Sequence, residues 1–174
     1  FENLEPVQEY VSLSKVLTLE RFLRKNRQYF NNRSGIELDT SMISVVKFGD
    51  DHKTYSLNIL GRKEGAIQNL IFVETNGVIS KPNIIEFQGT RKFVEDFNNR
   101  MVGFEKFEGT ITQFTLQSFL NASRDDLIDC DCYKDYIKPV LVSPSYGDTN
   151  AGESSEQIVI QLNNLGFINL GHGA

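Results

Sequence analysis

Residues 54–88, TYSLNILGRKEGAIQNLIFVETNGVISKPNIIEFQ, decide the fold class. Three runs in it, 54–60, 67–75 and 82–87, are rich in the β-branched and aromatic residues that suit a pleated, half-buried surface. The GRKEG segment at 61–65 separates the first two runs, and Thr75-Asn76-Gly77 follows the second. Short connections of this kind join neighbouring antiparallel strands, and Asn-Gly supplies the positive φ angles of a tight hairpin. The stretch therefore reads as a β-meander. It provides a scaffold and carries no catalytic constellation.

Upstream, residues 4–30 place Val7, Tyr10, Val11, Leu13, Val16, Leu17, Phe22 and Leu23 near the helical period. Pro6 suits a first helical turn, and the NNRSG run at 31–35 stops the pattern. An amphipathic helix is expected here, interrupted near residues 17–19 and laid across one face of the meander. Residues 43–48 form a fourth candidate strand, closed by the turn cluster Gly49-Asp50-Asp51-His52. Downstream, Phe93, Val94 and Phe97 predict a short helix over 92–101, and residues 104–116 a fifth strand. With 13 Phe and no Trp, the core is expected to be aliphatic and Phe, with Phe48, Phe72, Phe87 and Phe114 in it.

From residue 121 the character changes. Residues 143–157, SPSYGDTNAGESSEQ, have the small, polar composition of a flexible linker. The apolar segment beyond it, IVIQLNNLGFINL at 158–170, needs burial. It either returns to the sheet as an edge strand or adds to a partner, with Ile158, Ile160, Leu162 and Phe167 as the anchoring side chains. The expected fold is α+β. An N-terminal amphipathic helix packs on a mainly antiparallel β-meander sheet of about five strands, and an extended C-terminal arm follows. The corresponding division is a domain at 1–142, a linker at 143–157 and an arm at 158–174.

The 174 residues suffice for one ordinary domain, and 40% apolar with 24% charged residues is a globular composition. A net charge of −5 argues against a nucleic-acid partner. The basic residues Arg21, Arg24, Lys25, Arg27 and Arg33 are spread by helical spacing over a solvated face. No run approaches the ~18 apolar residues of a membrane-spanning helix. The chain begins at Phe1 rather than Met, so an upstream signal peptide or lipid anchor is compatible with it. Asn32-Arg33-Ser34 and Asn121-Ala122-Ser123 match the glycosylation acceptor pattern.

The densest chemistry lies at Asp125, Asp126, Asp129, Cys130, Asp131 and Cys132. Calcium would use several oxygens of such a loop, although the spacing departs from the Asp-x-Asp-x-Asp-Gly pattern. Zinc would need two further ligands, and His52 and His172 are distant in sequence. The alternative is an exposed acidic loop with either a Cys130–Cys132 bond or two free thiols. Neither histidine is placed as a catalytic base, and the glycines sit singly in turns rather than in a phosphate-binding loop. Glu74, Glu86, Glu95, Asp96, Glu105 and Glu108 leave paired-carboxylate hydrolysis as a minor reading.

Three segments carry a resemblance: Tyr55-Ser56-Leu57-Asn58-Ile59, Ile67-Gln68-Asn69-Leu70-Ile71-Phe72, and the run from Gly77 through Ile84 to Phe87. Together with Gly109-Thr110-Ile111-Thr112 they resemble strands of secreted or lipid-anchored surface proteins of Bacteroidota-type bacteria. The likeness covers residues 54–116 and implies an envelope location, extracellular or at the cell surface. It transfers no catalytic residue. The preferred expectation is a non-enzymatic protein that binds another protein, as an accessory subunit of an outer-membrane assembly. The alternatives are a carbohydrate-, small-ligand- or cation-binding module working through the 125–135 loop, a carboxylate-dependent hydrolase, and a pro-region or protease inhibitor suggested by fold analogy alone.

Overall fold

The computed structural model describes residues 6–30, 36–60, 65–80, 82–122, 140–142 and 155–171. The meander forms as the sequence predicts. Strands β3 (Ile43–Phe48), β4 (His52–Leu60), β5 (Ala66–Thr75) and β7 (Asn83–Gly89) are successive antiparallel neighbours. Asn76 and Gly77 both take positive φ, 52° and 82°, and turn β5 back into the short β6 (Val78–Ile79). From there, three steps along β5 face four along the returning chain, so one extra residue is taken up between Ile79 and Asn83. Pro82 sits at that break, where no ladder hydrogen bond is required of it. His52 is the first residue of β4 rather than part of the preceding turn.

The sheet is wider than about five strands. Its path is β1-β3-β4-β5-β7-β8-β9, with β1 (Val7–Val11), β8 (Gly109–Thr115) and β9 (Val140–Val142). The short β2 (Glu37–Leu38) and β6 pair with β4 and β5 outside that path. The expected N-terminal helix is corrected at its start. Residues 7–11 are an edge strand on β3, a 3-10 turn follows at Leu13–Lys15, and only Leu17–Lys25 is helical (α1). Five residues that include Val, Tyr and Val fit either period, and pairing with β3 settles the choice. The exposed basic residues of α1 include Arg21, Arg24 and Lys25, with Arg24 paired to Glu20 at 2.7 Å.

The expected strand over 104–116 is also divided. Phe104–Lys106 is a 3-10 turn, β8 starts at Gly109, and Leu116 opens a helix, α3 (Leu116–Ala122). Before it, α2 (Arg91–Asn98) is capped by Thr90, whose hydroxyl accepts from the Phe93 amide at 3.2 Å.

Both faces of the sheet are covered, which explains near-continuous apolar runs such as 70–73. Strand residues two apart share a face. Tyr55, Leu57, Leu70, Phe72 and Ile84 pack with Leu19 and Leu23 of α1 and Phe119 of α3. Ile71, Ile85, Phe87 and Ile111 pack on the opposite face with Phe93 of α2 and with Phe104 and Phe107. Phe72 and Phe87 are core residues as expected; Phe114 is partly buried against the first cluster, and Phe48 rests edge-on against His52.

The C-terminal segment is a helix followed by extended chain, not a strand. Helix α4 (Ser155–Asn164) begins inside the expected linker, whose residues 143–154 lie outside the described residues. It ends on Gly166, φ 82°, with Gly166 N–H bonded to Asn163 O and Phe167 N–H to Leu162 O, a Schellman stop. Val159 and Ile168 are buried in the second core cluster.

Asn169, 0% exposed, ties the segment to the sheet. Its Nδ2 donates to Met42 O at 2.9 Å and Ser56 O at 2.8 Å, and its Oδ1 accepts from Gly171 N. Asn58 Nδ2 donates to the Asn169 carbonyl at 3.1 Å. In the amide orientation that satisfies both its atoms, Asn69 donates to that carbonyl at 2.8 Å and accepts from Asn169 N at 2.9 Å. Asn58 and Asn69 are register partners on β4 and β5. The two side chains thus do for an incoming backbone what a further strand would do.

Candidate functional site: an aromatic groove

Three separate segments meet at one end of the sheet. Phe22 of α1, with Asn26, Tyr29 and Phe30 just after it, forms one wall. Ile79 of β6, Pro82 and Asn83 form another, and Thr115, Leu116 and Gln117 at the β8–α3 junction complete it. Asn83 and Thr115 are register partners, so β7 and β8 deliver them side by side. The groove has a volume of about 730 Å³, within the range of small-molecule sites.

The aromatic wall is anchored from behind. Phe22 and Phe30 meet the buried Phe72 ring edge-on, at centroid distances of 5.4 and 6.0 Å, and Tyr29 meets Phe30 at 6.3 Å. Asn26 closes the end of α1, its Nδ2 donating to Phe22 O at 2.9 Å. Thr115 Oγ1 accepts from the Ser118 amide and so starts α3. The Asn83 amide has no partner among the described residues. No Asp, Glu, Lys, Arg or His lines the groove, in a chain that is 24% charged. Anchored rings and neutral polar side chains suit an uncharged ligand.

The residues singled out from sequence lie elsewhere. Asp125, Asp126, Asp129, Cys130, Asp131 and Cys132 fall outside the described residues, and so does His172. Ile158, Leu162 and Phe167 pack against the core, and Ile160 on the outer side of α4 is 49% exposed. No helix among the described residues is long and apolar enough to cross a membrane.

The carboxylates separate into distinct settings. Glu74 is buried and accepts from the Tyr55 hydroxyl at 2.7 Å. Burial, reinforced by the hydrogen bond to Glu74 and its charge, pushes the Tyr55 phenol well above the ordinary tyrosine range, so it stays a neutral donor. Glu86 is buried on the same face, accepting from Gln68 Nε2 at 2.7 Å. It is level with Gln68, six residues from Glu74 along β5, which is a separation of about 20 Å. Glycoside hydrolysis needs about 5–10 Å. Asp96 and Glu108 do share a cleft of about 210 Å³, together with Lys92 and Lys106. Lys92 Nζ lies 3.3 Å from Asp96, and Glu108 accepts from Thr90 at 3.0 Å. That cleft reads as an ion-paired surface.

The groove was not legible in the sequence, because its walls come from 22–30, 79–83 and 115–117, and no local pattern links them. Comparisons with protein-family models, curated proteins and solved structures find no match for this chain.

Proposed function

We propose that this chain is a non-enzymatic binding module that takes a small uncharged ligand in the aromatic groove. The observation that carries this is the combination of three anchored aromatic rings with four neutral polar side chains and no charged wall. A charged ligand would lose hydration there and find no counter-charge. The test is a titration with N-phenyl-1-naphthylamine, a neutral aromatic amine that fluoresces on leaving water. Saturable binding is expected, and Tyr29→Ala is expected to weaken it roughly tenfold by removing ring contact. Absence of saturable binding, or binding indifferent to Tyr29→Ala, would sink the reading.

A second reading, a protein subunit at the cell surface, is supported by β1. All five of its residues are at least partly exposed, with Val7 at 62% and Tyr10 at 50%, and it ends the sheet. Such an edge accepts an added strand. Pro6 and the Glu9–Lys47 pair at 3.3 Å limit it to a short, partly charged template. Light scattering on native protein extracted in mild detergent is expected to find a particle well above 19.8 kDa. Tyr10→Lys on the edge is expected to return it to the single-chain mass. A native particle of single-chain mass would dismiss this reading.

A further inference from the structure

We infer that the ligand of the groove is a neutral saccharide; this rests on the binding reading above and narrows its chemistry. A purely apolar ligand would satisfy Phe22, Tyr29 and Phe30 but would cover Asn26, Asn83, Thr115 and Gln117. Each hydrogen-bonding group left unmatched under a ligand costs about 1–3 kcal/mol. An acidic or basic ligand would meet no opposite charge on any wall. What remains is a molecule with an apolar face and an uncharged, hydroxyl-bearing rim. A neutral pyranose ring has that make-up: its C–H face lies on an aromatic ring, and its rim exchanges hydrogen bonds with amides.

The placement of the polar groups agrees. Asn83 and Thr115 are adjacent across the β7–β8 ladder, and Gln117 follows two residues after Thr115. Asn26 stands on the segment that also carries Phe22, Tyr29 and Phe30. Amides therefore face the ligand from both sides of the groove. An Asn or Gln side chain both donates and accepts, which matches hydroxyls that do the same. The groove is open along one side, so a ring within a longer chain can enter it without a free end.

The test uses the whole chain on a printed array of neutral and acidic glycans, beside the naphthylamine titration. Binding confined to neutral glycans is expected. Tyr29→Ala and Asn83→Ala are each expected to weaken it roughly fivefold to tenfold. Changing salt from about 50 to about 500 mM is expected to alter the affinity less than twofold, since no charge is engaged. Naphthylamine binding that depends on Tyr29, with no glycan bound, overturns the saccharide assignment and leaves the binding module standing. Glycan binding that is confined to acidic glycans, or that ignores both substitutions, overturns it as well. Failure of both probes removes the binding module along with it.

Discussion

A chain ending at residue 154 is expected to lose cooperative unfolding and to come out of solution. Helix α4 and the chain after it bury Val159 and Ile168 fully and Ile158, Leu162, Phe167 and Leu170 in part, against Phe87, Phe104 and Phe107. Burying one such side chain contributes about 1.5–3 kcal/mol. Two complete and four partial burials sum to the order of 5–10 kcal/mol, which matches the whole net stability of an ordinary domain. Circular dichroism melting of the truncated chain checks this. A sharp transition near that of the full chain would mean that the segment is an appendage, as an arm offered to a partner would be. A point variant separates polar anchoring from apolar burial. Asn169→Ala strips hydrogen bonds from the Met42 and Ser56 carbonyls and the Gly171 amide, at a cost of about 3 kcal/mol. For a chain of this length that is a fall of roughly 6–12 °C in Tm. A fall under about 2 °C would show that water replaces those bonds freely.

Gly109→Ala is expected to cost as much or more, for a reason confined to backbone. A Cβ at position 109 would overlap the Gln88 carbonyl oxygen and approach Gly89 Cα to 2.8 Å. Gly89 and Gly109 are register partners at the end of the β7–β8 ladder, so no side-chain rotation relieves the contact. The strands must separate there, and Phe107, two residues before Gly109 and packed on Phe87 and Phe93, moves with them. Overpacking of this kind costs about 1–3 kcal/mol in a side-chain core and more against backbone. Chemical denaturation of the variant measures it, and a loss under about 1 kcal/mol would mean that the ladder end shifts at little cost. Gly77→Ala makes a useful contrast. No atom lies within 4 Å of its Cβ position, so only its φ of 82° is strained.

The meander was legible in the sequence because its signals are local. The Asn76-Gly77 turn, the β-branched runs on either side and the Thr90 cap each act over a few residues, and each appears where those residues predict it. One further local signal was present but passed over. Ile158, Val159, Leu162 and Leu165 follow helical spacing and Gly166 stands just past them, a stop signal that outweighs the β-branched IVI run. Other features had no local signal to read. Residues 7–11 became a strand because β3 offered them a ladder, and a five-residue run does not distinguish the periods. The second layer on the far face depends on Asn58, Asn69 and Asn169, three amides whose mutual distance is set only when the sheet and the C-terminal segment meet. The groove likewise draws its rings from one segment and its amides from three. Composition and turn chemistry thus determined the fold class and the central strands. The tertiary structure alone decided which side chains share a wall, because that depends on contacts between residues tens of positions apart.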